Sequence, residues 1–118
     1  MADAAIFVGW GQPVRGREMK GLQVFNEAIA YYGRLQQAGT IESFEPVLLT
    51  VHGGDLAGFV LLRGDVDKLN ALKQTDEFQK TTVRAGQIVD GLGVIDAAIG
   101  ASLATGMANY AAAITELA

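Results

Sequence analysis

Four side chains in this sequence have the chemistry to bind or transform a small molecule: Trp10, Thr50, His52 and Arg63. His52 is the single histidine, and imidazole is the side chain that most readily exchanges a proton near neutral pH. On a β-strand, residues 50 and 52 point to the same face, and Arg63 falls near the end of the following strand. The pattern predicts a mostly apolar pocket in which His52 is a catalytic base. Trp10, Thr50 and Arg63 are then ligand-binding residues, with the arginine attracting an anionic group.

Other interpretations of these residues stay open at the level of sequence. A histidine beside the glycines of a hairpin is equally typical of a solvated turn without a catalytic role. Tyr31 and Tyr32 can join Trp10 in lining a pocket for an aromatic ligand. However, Tyr32 continues the apolar side of a predicted helix, which favours a core position for it.

One glycine-containing segment resembles a phosphate-binding loop in part. Gly9 and Gly11 follow a predicted strand, and two arginines precede a helix, so the helix N-terminus can hold an anion. The third glycine of a dinucleotide-binding loop and the Lys-Ser/Thr pair of a phosphate loop are both missing. The simpler interpretation is a loop that needs glycine for its backbone geometry.

Composition excludes several classes of site. The 118 residues contain no cysteine, so disulfides, thiolate nucleophiles and iron–sulfur clusters are impossible. The carboxylates show no metal-ligand spacing, and Asp65 and Asp67 lack the rest of a calcium loop, so we expect neither a metal nor a cofactor. Nine basic and thirteen acidic residues give a formal charge of −4, which disfavours nucleic acid as a partner.

The two ends of the chain bear on its location. No basic residue precedes Arg15 and the first apolar run is short, which does not match a secretory signal. Residues 97–115 carry no charge over nearly the length of a bilayer span. Their large apolar residues fall on one side, which favours an amphipathic helix packed on the protein. We therefore expect a cytoplasmic protein that makes no membrane contact.

Hydrophobic periodicity predicts one domain over residues 1–118, with a core at about 4–99 and a C-terminal helix at about 100–117. The predicted strands cover residues 4–10, 41–52, 56–63 and 87–96. The predicted helices cover residues 17–37, 65–86 with an interruption near Thr75, and the C-terminal segment. Right-handed crossovers arrange these elements as a ferredoxin-like βαββαβ fold of the α+β class, a four-stranded antiparallel sheet with an added C-terminal helix.

The predicted strands are apolar at both alternating positions, as Ile6 and Val8 alternate with Phe7 in the first strand. Such strands are typical of a sheet that is buried on both faces. Two helices cover only one face, so the sequence predicts a homodimer formed through the open sheet face.

Three features span about residues 4–99: the order of the elements, their spacing, and the hairpin HGGDLAGFVLLRGD followed by LNALKQTDEF. In these features the chain resembles the dimeric α/β-barrel superfamily. It implies that two subunits pair sheet to sheet. The superfamily includes cofactor-independent monooxygenases, haem-handling enzymes, isomerases and ligand-sensing domains. Asn26, Trp10 and His52 do not match the placement of the Asn, Trp and His of its haem-degrading branch.

Together these features predict a homodimer that binds a small apolar or aromatic molecule between sheet and helices. If the protein is an enzyme, we expect a cofactor-independent monooxygenase or isomerase, with His52, Arg63 and Trp10 on the wall of one cavity. The alternative is a non-catalytic assembly or ligand-sensing module, with no cavity near His52 and with Arg63 in solvent or in an ion pair. The sequence leaves open which of the two applies, what the ligand is, and what the C-terminal helix does.

Overall fold

A computed structural model describes residues 2–118 and shows four strands and four helices within them. In chain order the elements are β1 (Ala4–Trp10), α1 (Glu18–Gln37), β2 (Ser43–Leu48), β3 (Gly58–Gly64), α2 (Val66–Lys73), α3 (Asp76–Gly86), β4 (Gly93–Ala97) and α4 (Gly100–Glu116). The strands form one antiparallel sheet in the order β2-β3-β1-β4. The predicted ferredoxin-like α+β fold with an added C-terminal helix is therefore confirmed.

The helix boundaries follow from capping residues in the sequence. Asp65 caps α2, since its carboxylate accepts a hydrogen bond from the Lys68 amide at 3.0 Å. Thr75 caps α3 in the same way and separates it from α2, which confirms the predicted interruption. Gly39 lies just after α1 with φ of +77°, a conformation that glycine adopts without strain.

The hydrophobic core lies between one face of the sheet and helices α1 to α3. Even-numbered positions of the two central strands point into it, among them Ile6 in β1 and Leu62 in β3. Both side chains are less than 2% exposed. Leu69 and Leu72 of α2 and Phe78 of α3 pack against the same face. These contacts make the helix-covered face the main source of hydrophobic stabilisation.

Two of the predicted strands are too long. β2 ends at Leu48 instead of residue 52, because Leu48 pairs with Gly58, where the neighbouring strand begins. Beyond it, residues 49–57 form a connecting loop, and Val51 is 94% exposed despite its β-branched side chain. β4 begins at Gly93 instead of residue 87, because residues 87–92 first pair with the loop after β1 and then turn through Gly91, which has a φ of +63°.

The second face of the sheet is apolar and is not covered by any helix of the same chain. The rings of Phe7 and Phe59 stack on it with their centroids 4.9 Å apart. A Cβ atom at Gly9 would lie 2.4 Å from Cε1 of Phe7, so the glycine provides the space in which that ring lies. Leu61 is only partly buried on this face, and Ile95 is 56% exposed. We call these four side chains, with Val47, the open face.

The C-terminal helix α4 projects from the edge strand β4. None of its residues is buried, and its large apolar side chains, namely Leu103, Met107, Tyr110 and Ile114, are all about half exposed. The predicted amphipathic helix is present, but it does not pack on its own subunit, since every residue of α4 except Ser102 in its first turn is exposed. Within residues 2–118, no helix combines the length and the hydropathy needed to cross a membrane.

Candidate functional site

An apolar cavity of about 310 Å³ lies between the helix-covered face of the sheet and the helices. The sheet contributes Val8, Trp10, Leu48 and Val60 to its wall. The segment from the end of α3 to β4 contributes Ala85, Ile88, Val89 and Leu92. The remaining side of the cavity is formed by α1 and by Pro13 in the loop before it. This is the volume and the chemistry of a site for a small apolar molecule.

Helix α1 presents its apolar side to this cavity. Leu22, Phe25, Ile29 and Tyr32 recur every three or four residues and all line the wall. The same side carries small residues at Gly21 and Ala28, which leave room between helix and sheet. The sequence predicted the apolar stripe and a pocket between sheet and helices, but it placed Thr50, His52 and Arg63 around that pocket. Periodicity identifies the buried side of a helix and does not show which distant residues border the space beside it.

Trp10, predicted as a ligand-binding residue, stands at the end of β1 and borders the cavity. Its ring meets Phe25 edge-on, with the ring centroids 5.8 Å apart and an angle of 65° between the planes. A Cβ atom at Gly58 would lie 2.9 Å from Cζ2 of Trp10, so the glycine on the neighbouring strand leaves space for the indole. The position of Trp10 is thus set by packing on both sides.

Tyr32 is the most buried polar side chain of the wall, with 5% of its surface exposed. Its ring packs against Tyr31 and Phe44, with centroid distances of 5.7 Å and 6.0 Å. Burial, helped by the neighbouring Tyr31, raises the pKa of the Tyr32 hydroxyl to about 12. The phenol is therefore protonated throughout the physiological range, and its hydroxyl can act as a hydrogen-bond donor.

The raised pKa of Tyr32 predicts a loss of stability in alkali. The unfolded chain ionises this tyrosine near its ordinary pKa of about 10, whereas the folded chain holds the proton up to about 12. The stability due to the neutral phenol is fully present below pH 10, and on the order of 2 kcal/mol of it is lost as pH rises to 12. Urea unfolding between pH 9 and 12 should show this loss in the wild type and a smaller loss in Tyr32→Phe. Parallel loss in both proteins would contradict burial of a neutral Tyr32.

His52 does not lie on a strand or in the cavity; it is exposed in the 49–57 loop. Its Nε2 lies 2.8 Å from the carbonyl oxygen of Leu56, and its Nδ1 accepts a hydrogen bond from the Gly54 amide at 3.1 Å. A neutral ring with the proton on Nε2 satisfies both contacts. Both ring nitrogens thus make contacts within their own loop. This arrangement matches a histidine that is part of a turn and has no catalytic role.

Arg63 and Thr50 are also separate from the cavity. Arg63 lies at the far end of β3, five residues or roughly 17 Å along the strand from Gly58. Its guanidinium pairs with the carboxylate of Glu45 on β2 at 3.0 Å. Thr50 is exposed in the same loop as His52. The prediction that these residues meet around one pocket is wrong, because β2 ends before Thr50 and because Arg63 lies at the opposite end of the hairpin.

The segment that resembled a phosphate loop is paired with another part of the chain. The amide of Gly11 donates to the carbonyl of Asp90 at 2.7 Å, and that of Val14 donates to Ile88 at 2.8 Å. These amides are therefore not free to surround an anion. Among residues 2–118, no three His, Asp or Glu side chains are close enough together to form a metal site.

The solved structures that resemble this fold include the following three. A dimeric ferredoxin-like protein of unknown function from Bacteroides fragilis is 11% identical with a TM-score of 0.59, covering 81% of this chain and 96% of its own. A dimeric ferredoxin-like protein of unknown function from a Jannaschia species is 14% identical with a TM-score of 0.64, covering 81% and 99%. SnoaB, a cofactor-independent oxygenase from Streptomyces nogalater, is 18% identical with a TM-score of 0.51, covering 84% and 97%.

The likeness to these structures concerns the fold, and it agrees with the resemblance to dimeric α/β-barrel proteins that the sequence predicted. No protein-family model matches the sequence, and no curated protein matches it. Within the chain, the cavity between sheet and helices is the place where the geometry favours binding.

Proposed function

We propose that this protein is a homodimer in which each subunit binds one small apolar or aromatic molecule in the cavity between its sheet and its helices. The observation that carries the proposal is the 310 Å³ cavity, whose lining is apolar except at a few positions. Apolar side chains that surround an open space lose contacts with one another, and a ligand of matching shape restores them. Trp10 and Phe25 supply the aromatic surface that favours a flat ring.

The dimer is proposed to form through the open face. Phe7, Phe59, Leu61 and Ile95 would otherwise keep a contiguous apolar surface in water, which monomeric proteins rarely do. Two of the structures that share the fold are described as dimeric. The exposed apolar side of α4 offers further surface to a partner subunit. Because the open face and the cavity lie on opposite sides of the sheet, association leaves the cavity in place.

Two modes of action are compatible with a bound ligand. The enzymatic mode is a cofactor-independent monooxygenase or isomerase, supported by the fold shared with SnoaB and by a protonated phenol at the cavity wall. The alternative is a ligand-sensing or assembly module without turnover. It is favoured by the positions of His52 in its own loop and of Arg63 in an ion pair. In either mode we propose that the protein acts in the cytoplasm.

Binding can be measured through Trp10, which is the only tryptophan of the chain and lines the cavity. We expect the neutral fluorophore N-phenyl-1-naphthylamine to bind once per subunit and to accept excitation energy from Trp10. Gly21→Leu places a side chain in the cavity and should weaken binding by at least about tenfold. Gly33→Leu on the same helix is the matched control, since a Cβ atom there has no neighbour within 4 Å. His52→Ala should also leave the affinity unchanged.

The outcome that would contradict the proposal is equal binding to the wild type and to Gly21→Leu. The probe would then bind at another apolar surface, such as the open face or α4. If Gly33→Leu weakened binding as much as Gly21→Leu, the effect would come from damage to α1 and not from filling of the cavity.

A further inference from the structure

The polar side chains of the cavity wall restrict the chemistry of its ligand. They are Tyr32 deep in the wall, the half-buried indole of Trp10, and the exposed carboxylate of Glu18. None of the residues that line the cavity is a lysine, an arginine or a histidine. A carboxylate ligand would lose its hydration here without gaining a cation, and it would meet the negative charge of Glu18. The wall therefore favours a neutral ligand.

Among residues 2–118, nothing forms a hydrogen bond with the hydroxyl of Tyr32, although only 5% of the surface of this residue is exposed. No fully enclosed side-chain oxygen or nitrogen of the described residues is left without a partner, so this oxygen must have some access to open space. Tyr32 is one of the residues that border the cavity, so a ligand bound there lies beside this side chain. On an otherwise apolar wall, a hydroxyl that no described residue pairs is available to a polar atom of the ligand.

We propose that the Tyr32 hydroxyl donates a hydrogen bond to the carbonyl oxygen of a neutral, otherwise apolar ring compound, and that the cavity selects such ketones over hydrocarbons and over carboxylates. The inference rests on the proposed binding function of the cavity. A carbonyl fits better than a ligand hydroxyl, because a hydroxyl brings a proton that needs an acceptor. The only carboxylate of the lining, that of Glu18, is exposed.

Three bicyclic probes of similar shape test this proposal: 1-tetralone, tetralin and tetralin-1-carboxylate. Calorimetry on the full chain should rank 1-tetralone first, tetralin second and the carboxylate last. Tyr32→Phe removes only the hydroxyl. It should weaken the binding of 1-tetralone by roughly fivefold to tenfold, as expected for one neutral hydrogen bond, and leave the affinity for tetralin unchanged. Tyr31→Phe is the matched control, since the adjacent Tyr31 lines a different cleft beside Arg34 and Glu77. The ¹³C resonance of labelled 1-tetralone should move downfield on binding to the wild type and not to Tyr32→Phe.

The outcomes separate this inference from the proposed function. If 1-tetralone and tetralin bind equally, or if Tyr32→Phe keeps the preference for the ketone, Tyr32 is not the donor although the cavity does bind ligands. If tetralin-1-carboxylate binds most tightly, the inference that the cavity selects neutral compounds is wrong. If none of the probes binds, and N-phenyl-1-naphthylamine also fails to bind, the binding function and this inference are both overturned.

Discussion

Replacing Leu61 with lysine is expected to separate the proposed dimer into folded monomers. Leu61 lies on the open face of the central strand β3, opposite Phe7 on one side and Glu45 on the other. A two-fold axis places the substitution in the interface twice, so each dimer would have to bury two ammonium groups. The nearest carboxylate to each of them, that of Glu45, is already paired with Arg63. We expect the dissociation constant to rise by at least about a hundredfold, since burying one unpaired charge costs several kcal/mol.

The monomer itself should tolerate the Leu61→Lys substitution. The new side chain remains in water when the open face is free, and its neighbour across the strands is the carboxylate of Glu45. Sedimentation velocity or light scattering gives the oligomeric state, and circular dichroism shows whether the fold is kept. Val83→Lys is the control, because Val83 is 63% exposed on the outer side of α3. A dimer that survives Leu61→Lys would show that the subunits associate through another surface, for which α4 is the next candidate.

Replacing the adjacent Leu62 with alanine is expected to damage the opposite side of the same strand. Leu62 points to the helix-covered face and has 0% of its surface exposed. Removing three carbon atoms there leaves a hole among Ile6, Leu69 and their neighbours, which cannot close without moving the helices. We expect the free energy of unfolding to fall by about 3 kcal/mol, a large share of the stability of a domain of this size.

Urea unfolding at one fixed protein concentration measures this loss, since the stability of a dimer depends on concentration. Leu117→Ala removes the same atoms from a side chain that is 82% exposed and should change the free energy of unfolding by less than about 0.5 kcal/mol. Leu62→Ala should also leave the open face intact and the protein dimeric. If Leu62→Ala lowered the free energy of unfolding no more than Leu117→Ala does, the core would not be centred on Leu62.

Most of the fold could be predicted from the sequence because its signals are local. The spacing of Leu22, Phe25 and Ile29 requires a helix with one apolar side, and the structure has that helix. Asp65 and Thr75 identify the starts of α2 and α3 by a hydrogen bond that spans three residues. The apolar residues at both alternating positions of β1 and β3 indicated a sheet with two apolar faces, which the structure shows.

The candidate site could be predicted only in part, because it depends on distances between residues far apart in the chain. Trp10 was predicted as a ligand-binding residue from its place at the end of a strand. The structure places it on the cavity wall, and its part in binding stays a prediction. Thr50 and His52 were assigned to a strand because the alternation of Val47, Leu49 and Val51 continues past Leu48. The pairing of β2 with β3 ends at Leu48, because β3 begins only at Gly58. The local pattern of apolar residues does not show where the neighbouring strand begins.

The sequence by itself determined the order and type of the elements, the capping of the helices and the two apolar faces of the sheet. These follow from backbone preferences and from the period at which apolar side chains recur. Only the tertiary structure decided that a cavity remains beside Gly21, that Tyr32 borders it without a hydrogen-bond partner, and that Arg63 pairs with Glu45. The reason is physical: empty space and unpaired polar atoms are properties of the whole packing arrangement, and they appear only when segments distant in sequence have come together.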